Sequence, residues 1–170
     1  MTVIDGSGVR LRTVEFDDVE ALVTIRSAPE VALRWGAEDI RSDIAETVKG
    51  DDVDAFVIED GNEQIVGFLQ WHEETDPEYR HAGMDIYVDP AHHGRGIGSE
   101  AVRAAAKHLI EVKGHHRITI DPAADNVAAI RCYAKVGFKP VGVMRQYERI
   151  DGGDWHDGLM MDLLAEEFIG

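Results

Sequence analysis

Apolar and polar residues alternate with two distinct periods along the 170-residue chain. Residues 9–13 (VRLRT) alternate with a period of two, which predicts a strand. Residues 16–27 space their apolar side chains as a helix does, with Asp17 or Asp18 as the N-cap, and Trp35 and Gly36 fall in a connection. The further predicted elements are a helix over 39–48, paired strands over 54–60 and 64–73, a strand over 82–90, a helix over 97–112, a strand over 116–122, a helix over 126–136, and paired strands over 138–150 and 154–164.

This order of elements determines the fold class that we predict. One strand, two helices, three strands, a helix, a strand, a helix and two strands imply an α/β (α+β) sandwich built on a mixed sheet. The length and the 44% hydrophobic content suit one core, and the sequence has no Pro/Gly/Ser-rich linker. Residues 1–170 are therefore expected to form a single domain.

Charge narrows the choice of partner. Seventeen basic residues against thirty-three acidic residues give a net charge of −16. Such a charge disfavours nucleic acid and membrane surfaces as partners, and it favours a small cationic molecule. The alternative, that the carboxylates serve solubility alone, stays open on composition.

Cysteine usage and hydropathy bear on the compartment. Cys132 is the only cysteine, which excludes an internal disulfide and fits a reducing cytoplasm. No window of the sequence approaches the roughly 18 uninterrupted apolar residues of a spanning helix, so we expect a cytoplasmic protein that is not exported. The histidine pairs at 92–93 and 115–116 lack a zinc-ligand framework, and no metal site is predicted.

The segment DPAHHGRGIGSEA, residues 89–101, places Gly94, Gly96 and Gly98 between a predicted strand and a predicted helix. Glycines let successive N–H groups turn towards one point, and the helix N-terminus adds partial positive charge. The loop is therefore suited to an anion such as a pyrophosphate, with an ordinary glycine-rich turn as the alternative. A P-loop is excluded because Gly-Lys-Ser/Thr is absent, and a dinucleotide fingerprint should follow the first strand of a βαβ unit.

Two motifs resemble the GCN5-related N-acetyltransferase (GNAT) superfamily. HHGRGIG, residues 92–98, resembles its acyl-CoA pyrophosphate loop, Gln/Arg-x-x-Gly-x-Gly/Ala, with His93 at the first position. NVAAIRCYAKVGFKPVG, residues 126–142, resembles its second signature, Asn…Ala…Tyr…Lys…Gly-Phe. The resemblance implies a GNAT fold, in which a mixed, mostly antiparallel sheet contains a splayed strand pair and carries helices on both faces.

The resemblance also implies that acetyl-CoA is the cofactor. In this family the strand before the loop splays from its neighbour, and its backbone binds the pantetheine arm; here that strand is MDIYV. The residues that the resemblance assigns to the cofactor are the main chain of Ile86, Tyr87 and Val88, the loop residues His93, Gly94, Arg95, Gly96, Ile97, Gly98 and Ser99, and Asn126 and Tyr133 of the second signature. N-capping explains Asn126 equally well.

Two residues are candidates for catalysis. Transfer from a thioester to an amine requires a neutral nucleophile, help for the developing oxyanion and a proton for the departing thiolate. Asp85 lies at the implied splay and is the candidate that accepts the ammonium proton, directly or through water. Tyr133 matches the signature tyrosine and is the candidate general acid. Strand-end capping for Asp85 and packing against the cofactor for Tyr133 are the alternatives.

A closer resemblance supplies the expected substrate. RWGAED (34–39), WHEETDPEYR (71–80) and ITIDPAADNVAAIRCYAKVGF (118–138) resemble the aminoglycoside 6′-N-acetyltransferases, whose tryptophan-lined acidic clefts take cationic aminosugars. Position by position, the resemblance assigns acceptor binding to Trp35, Trp71, Glu73, Glu74, Asp85 and Asp121. Core packing of the tryptophans and simple solvation of the loop acids are the alternatives.

The resemblance therefore predicts an acetyl-CoA-dependent aminoglycoside 6′-N-acetyltransferase that confers antibiotic resistance by direct transfer in a ternary complex. Two other functions stay open: an acetyltransferase of protein N-termini, polyamines or other small amines, and a non-catalytic acyl-CoA-binding sensor. Retention of Asp85 and Tyr133 argues against the sensor. The sequence leaves open whether the chain forms a homodimer.

Overall fold

The computed structural model describes residues 1–50 and 52–170, which are built around an eight-stranded sheet. The strands are β1 (Val3–Asp5), β2 (Val9–Thr13), β3 (Asp54–Asp60), β4 (Ile65–Glu74), β5 (His81–Val88), β6 (Arg117–Ile120), β7 (Lys139–Arg149) and β8 (Trp155–Leu164). The helices are α1 (Val19–Arg26), α2 (Pro29–Trp35), α3 (Ile40–Lys49), α4 (Ile97–Glu111) and α5 (Val127–Val136). The strand order is β1-β2-β3-β4-β5-β6-β8-β7, with β5–β6 as the parallel pair and the other pairs antiparallel. The predicted fold class is confirmed.

Alternation with a period of two sorts the side chains of the central strands onto the two faces of the sheet. Leu69 and Trp71 of β4 pack with the alanine-rich side of α4 in one core cluster. Phe68 of β4 and Tyr87 of β5 pack with α1, α2 and α3 in a second cluster on the opposite face. Helices therefore cover both faces, as the fold prediction requires.

The strands β5 and β6 diverge in the middle of the sheet. They pair at two positions, Ala82 with Ile118 and Gly83 with Thr119. Beyond Gly83, β5 remains paired with β4 as far as Val88, while β6 turns away. The predicted splayed pair is thus confirmed, and the divergence leaves a gap on one side of β5.

The structure adds two short elements to the predicted order, the three-residue β1 and the seven-residue α2. Pro29 occupies the first turn of α2, where a missing N–H is tolerated. The prediction that Trp35 lies in a connection is wrong, because Trp35 is the last residue of α2, and Gly36 follows it as the C-cap. Both elements are too short to produce a periodic pattern in the sequence.

Local interactions set the ends of the helices. Asp18 occupies the N-cap position of α1, one of the two residues predicted for it, but its carboxylate binds the Arg12 guanidinium at 2.9 Å. Asn126 caps α5 at its start, and Gly137, with φ of 118°, ends it.

Within residues 1–50 and 52–170, no helix has both the length and the apolar character that crossing a membrane requires.

Candidate active site

A cavity of about 390 Å³ lies beside β5, between the start of α4 and one side of α5; we call it the glycine-loop cavity. The predicted cofactor residues that line it are Ile86, Tyr87, Val88, His93, Gly94, Gly96, Ile97, Gly98, Ser99, Asn126 and Tyr133. Arg95 is exposed and lies outside this lining. Residues of two motifs that are distant in sequence therefore meet around one space.

The three glycines of the loop meet different structural requirements. Gly94 and Gly96 have φ of 76° and 82°, and a Cβ at either position would lie in open space with respect to the described residues, so the backbone conformation alone requires glycine. Gly96 is the N-cap of α4, whose first amides and positive dipole end therefore face this loop. Gly98 lies inside α4, and a Cβ there would come within 3.3 Å of Cys132 Sγ on α5. The first two glycines shape an anion seat, and the third permits the contact between helices.

The register of β4 and β5 decides which main-chain groups face the gap. Asp89 donates its N–H to the carbonyl oxygen of Val66 at 2.8 Å. Hydrogen bonding alternates along an antiparallel strand, so the main chain of Tyr87 also points towards β4. The N–H and C=O groups of Ile86 and Val88 then point away from β4, towards the gap. Of the three residues that the resemblance assigns to the pantetheine arm, two have the backbone orientation that this role needs.

Three other predicted cofactor residues have partners within the chain. Nε2 of His93 lies 2.9 Å from the carbonyl oxygen of Val88, so this ring ties the loop to the end of β5. Ser99 donates its hydroxyl hydrogen to the N-cap carbonyl of α4 at 2.9 Å. Asn126 accepts the N–H of Ala129 at 3.2 Å and also lines the cavity, so its position suits both the capping role and the cofactor role.

A second cavity of about 430 Å³ adjoins the first; we call it the acidic cavity. The two cavities share a wall formed by Arg34, Trp35, Ile86, Asn126 and Tyr133. The acidic residues that line the second cavity are Asp85, Asp121, Glu148 and Asp151. Because the wall is shared, a group bound in one cavity lies next to a group bound in the other.

Of the two predicted catalytic residues, Tyr133 belongs to the wall that the cavities share, and Asp85 lines the acidic cavity. Asp85 accepts a hydrogen bond from Nε2 of Gln70 at 3.1 Å, and burial raises the pKa of its carboxyl group, with the nearby charge of Asp121 acting in the same direction. Tyr133 is 7% exposed, and burial raises the pKa of its hydroxyl well above the ordinary value. The phenol therefore keeps its proton at neutral pH, next to a carboxylate that binds protons more readily than usual.

The carboxylates of the acidic cavity repel one another. Burial raises the pKa of Glu148, and the charges of Asp121 and Asp85 raise it further. The Asp121 carboxylate also raises the pKa of Tyr147 to about 12, principally through hydrogen bonding to its hydroxyl. Since a cation would relieve this repulsion, the cavity favours a positively charged ligand.

Trp71 lies away from the acidic cavity, which corrects the prediction that it binds the acceptor. Its side chain is 1% exposed and stacks on Phe56 with ring centroids 4.5 Å apart. Its indole N–H donates to the Asp54 carboxylate at 2.8 Å. Trp71 is therefore a core residue on the α4 face of the sheet, as the alternative interpretation holds.

Glu73 and Glu74 also lie outside the acidic cavity. Glu73 shares a sheet face with Trp71 because side chains two residues apart on a strand point the same way. It binds Nζ of Lys113 at 2.6 Å and Nε2 of His115 at 2.7 Å. Glu74 is the last residue of β4, and its carboxylate accepts a backbone N–H of the following turn. Glu73 is therefore an ion-pair partner of Lys113 and His115, which corrects its assignment to the acceptor, and the assignment of Glu74 stays a prediction.

The remaining acceptor candidates, Trp35, Asp85 and Asp121, line the acidic cavity, together with two acids outside the predicted set of site residues, Glu148 and Asp151. Glu148 follows a register shift between β7 and β8, so alternation counted from the start of β7 does not predict its direction. Asp151 belongs to the turn between these strands, and its membership of the acid-rich final hairpin was the available signal.

Comparisons with known proteins agree on one family. A profile described as "Acetyltransferase (GNAT) family" matches residues 20–138. The aminoglycoside N(6′)-acetyltransferase type 1 of Klebsiella pneumoniae is 28% identical over 156 residues, which cover 80% of this chain and 76% of that protein. The N-alpha-acetyltransferase RimI of Mycobacterium tuberculosis is 36% identical over 78 residues, 46% of this chain and 47% of that protein. The solved spermidine N-acetyltransferase from Vibrio cholerae in complex with CoA and spermine has the same fold, with a TM-score of 0.81 at 20% identity over 96% of this chain and 99% of that chain.

Proposed function

The chain belongs to the GNAT acetyltransferase family, and from this membership and its acidic cavity we propose that it acetylates the 6′-amine of aminoglycosides. The predicted family is confirmed, and so is the predicted cofactor, because GNAT acetyltransferases use acetyl-CoA. We propose further that residues 1–170 act as one catalytic domain in the cytoplasm. Transfer takes place directly in a ternary complex, and resistance to the antibiotic is the result.

The glycine-loop cavity has the chemistry that this cofactor needs. The amides around Gly94 and Gly96, at the positive end of α4, suit a pyrophosphate. The main-chain groups of Ile86, and the N–H of Val88, whose carbonyl oxygen already binds His93, suit the amides of a pantetheine arm that lies in the gap beside β5. When bound, acetyl-CoA supplies an activated acetyl thioester.

Asp85 and Tyr133 divide the proton transfers between them. Asp85 accepts a proton from the ammonium group of the acceptor, directly or through a water molecule, and so releases the neutral amine that can attack. The bond from Gln70 holds this carboxylate in place. Tyr133 retains its proton at the wall that the two cavities share and donates it to the departing sulfur.

The observation that carries this proposal is the convergence of carboxylates from separate elements on one cavity. Asp85 comes from β5, Asp121 follows β6, and Glu148 belongs to β7. The charge of Asp121 raises the pKa of both Asp85 and Glu148, and a ligand that brings several cations would relieve this repulsion. Trp35, on the same wall, offers an aromatic surface to an aminosugar or an ammonium group.

Release of free CoA thiol from acetyl-CoA in the presence of an amine panel tests the proposal. The panel contains kanamycin, tobramycin, spermidine and a peptide with a free N-terminal amine, and an aminoglycoside with a hydroxyl at the 6′ position is the matched control. We expect release with kanamycin and tobramycin, acetylation at the 6′-nitrogen by NMR, and inactivity of the 6′-hydroxyl compound. Release with the peptide alone would contradict the substrate assignment. Calorimetric binding of CoA without release for any amine would favour the sensor.

A polyamine is the second candidate acceptor, because the acidic cavity offers charge along its wall and a linear polycation needs nothing else. The two candidates differ in their use of Trp35, whose indole packs edge-on against Tyr87 at 4.9 Å between ring centroids. We expect Trp35→Leu to raise KM for kanamycin more than KM for spermidine. KM for spermidine should change little, since a linear chain has no ring face to stack. An equal rise for both acceptors would show that Trp35 does not distinguish a sugar ring from a linear chain, and the preference for the aminoglycoside would lose this support.

A further inference from the structure

Asp151 has an unusual position for an acidic residue of a cationic binding site. It begins the turn between β7 and β8 with φ of 48°, a left-handed conformation that aspartate adopts more readily than most residues other than glycine. It lines the acidic cavity, yet its carboxylate is directed at the loop that joins α2 to α3. Oδ2 accepts the N–H of Ala37 at 2.7 Å, across 114 positions of sequence.

The other carboxylate oxygen occupies space that Gly36 leaves free. A Cβ at Gly36 would lie 2.7 Å from Oδ1 of Asp151, and Gly36 has φ of 85°, which side chains other than hydrogen rarely adopt. The glycine therefore serves both the backbone conformation and the seat of the carboxylate. Gly36 and Asp151 form one contact whose two halves come from the α2–α3 loop and the β7–β8 turn.

The loop that this contact holds follows directly after the wall shared by the two cavities. Arg34 and Trp35, at the end of α2, line both the glycine-loop cavity and the acidic cavity. The carbonyl oxygen of Trp35 accepts a hydrogen bond from the buried Arg26 at 2.7 Å, and Arg34 binds the Asp125 carboxylate at 2.6 Å. These two bonds fix the end of α2 towards α1 and α5. The hydrogen bond from Ala37 to Asp151 fixes the loop after α2 to the β7–β8 turn, and Asp151 of that turn lines the acidic cavity.

We propose that Asp151 is a positioning residue, which sets the acceptor wall by binding the loop after α2 and does not itself bind the amine. The inference rests on the proposed function, because it concerns the acceptor of that reaction. Its carboxylate is engaged by the backbone amide of Ala37, whereas burial and the charges of Asp121 and Asp85 raise the pKa of Glu148. The hydrogen-bonding capacity of residue 151 should therefore matter more than its charge.

Two substitutions at Asp151 separate these properties, because asparagine and glycine both tolerate a left-handed backbone. Asp151→Asn keeps an oxygen for the Ala37 amide and removes the charge. Asp151→Gly removes both. We expect Asp151→Gly to raise acceptor KM about tenfold, the effect of one lost hydrogen bond, with kcat and the KM for acetyl-CoA nearly unchanged. Asp151→Asn should change acceptor KM by less than about twofold.

Gly36→Ala attacks the same contact from the other side and should reproduce the Asp151→Gly phenotype. The double variant should be no worse than either single variant, because the two substitutions break one interaction. Asp154→Gly, an exposed acid in the same turn, is the matched control and should leave acceptor KM unchanged. Additive effects of Gly36→Ala and Asp151→Gly would overturn the proposal. So would an Asp151→Asn variant as impaired as Asp151→Gly, since that result would give the charge a direct role.

Hydrogen exchange of the segment 36–38 in the free protein gives a readout that does not depend on activity. Exchange at Ala37 should accelerate in Asp151→Gly and remain slow in Asp151→Asn, with Asp154→Gly again unchanged. Accelerated exchange with wild-type acceptor KM would overturn the positioning role while leaving the proposed function intact. If the wild-type chain acetylates no amine of the panel, the proposed function fails, and this exchange comparison alone decides whether Asp151 holds the loop.

Discussion

Tyr133 lines both the glycine-loop cavity and the acidic cavity, and burial raises the pKa of its hydroxyl. The phenol is therefore protonated at neutral pH and has one proton to give. Tyr133→Phe should therefore lower kcat by about 10²- to 10⁴-fold, the usual contribution of a general acid, while CoA binds with nearly the same affinity. The test pairs steady-state kinetics with calorimetry of CoA binding, and an unchanged kcat would assign Tyr133 to packing.

Asp85 supports a prediction about pH. A general base acts when ionised, so the rate is full above its pKa and is lost as the pH falls through it. Burial raises the pKa of Asp85, with Asp121 adding to the rise and His72 opposing it, so the acid limb of kcat/KM should lie above the ordinary range of an aspartate. Asp85→Asn should lower kcat by about 10²- to 10⁴-fold and remove that limb.

The control for Asp85 is Glu148→Gln, because burial and its neighbours raise the pKa of Glu148 as well. The acid limb should persist in Glu148→Gln and disappear in Asp85→Asn. The opposite pattern, measured with saturating acetyl-CoA across the same pH range, would make Glu148 the base.

For single residues, the sequence predicted a place in the site where a motif or a strand end marks the residue. It did not predict that place where tertiary contacts set the direction of the side chain. The family resemblance selected Asp85, Asp121 and Tyr133, and all three line the two adjoining cavities of the structure. Trp71 was misassigned although its alternation with Leu69 already placed both on one apolar face. The direction of Glu148 follows from an irregular register between β7 and β8, which no local pattern in the sequence reveals.

At the scale of elements, the loop before α4 supports a prediction that separates backbone strain from ligand binding. Gly96→Ala introduces a side chain at φ of 82°, which costs about 1–2 kcal/mol and tilts the first amides of α4 away from their present direction. We expect CoA affinity to fall by about tenfold or more, as measured by calorimetry.

Gly114→Ala is the matched control for this loop. Gly114 has φ of 73°, and a Cβ there would lie in open space with respect to residues 1–50 and 52–170, so the substitution imposes a similar strain in the turn after α4. Both variants should lose comparable thermal stability, and Gly114→Ala should keep wild-type CoA affinity. Equal loss of CoA affinity in the two variants would show that backbone strain alone weakens binding, and that the direction of the amides in the loop before α4 does not.

Long elements were predictable from the sequence and short ones were not. α4 has fifteen residues and an uninterrupted apolar side, which makes its period unambiguous. α2 has two turns, and its apolar residues Val31 and Trp35 pack in one cluster with residues of α1 and the sheet, so its helical state depends on that packing. The splay of β5 from β6 came from the family resemblance, since strand periodicity carries no information about which neighbours separate.

For the molecule as a whole, the net charge of −16 acts differently on the two substrates. Attraction between an acidic protein and a polycation weakens with salt, and so does its repulsion of the anionic CoA carrier. Raising the salt from about 0.05 to 0.5 M, where the Debye length falls to a few ångströms, should raise acceptor KM several-fold and leave the KM for acetyl-CoA constant or lower. Movement of both constants upwards would show that general salt inhibition, not the field of the protein, controls binding.

The same surplus of carboxylates gives the acidic cavity a cost in stability, which Glu148→Gln should reveal. Because burial and the charges of Asp121 and Asp85 raise the folded-state pKa of Glu148, the folded chain binds this proton more tightly than the unfolded chain, and stability falls as the pH rises through that pKa. Glutamine mimics the protonated form, so Glu148→Gln should raise Tm at neutral pH by about 1–2 °C, the scale of partly exposed positions in a chain of this size. The gain in Tm should shrink as the pH is lowered towards about 4.3, the ordinary pKa of a glutamate. Acceptor KM should rise at neutral pH.

Glu78→Gln removes one exposed negative charge and should leave both Tm and acceptor KM unchanged. A gain in Tm that Glu78→Gln matches would assign the effect to net charge, whereas a gain confined to Glu148→Gln would show that acceptor binding is achieved at the expense of folding stability within one cavity.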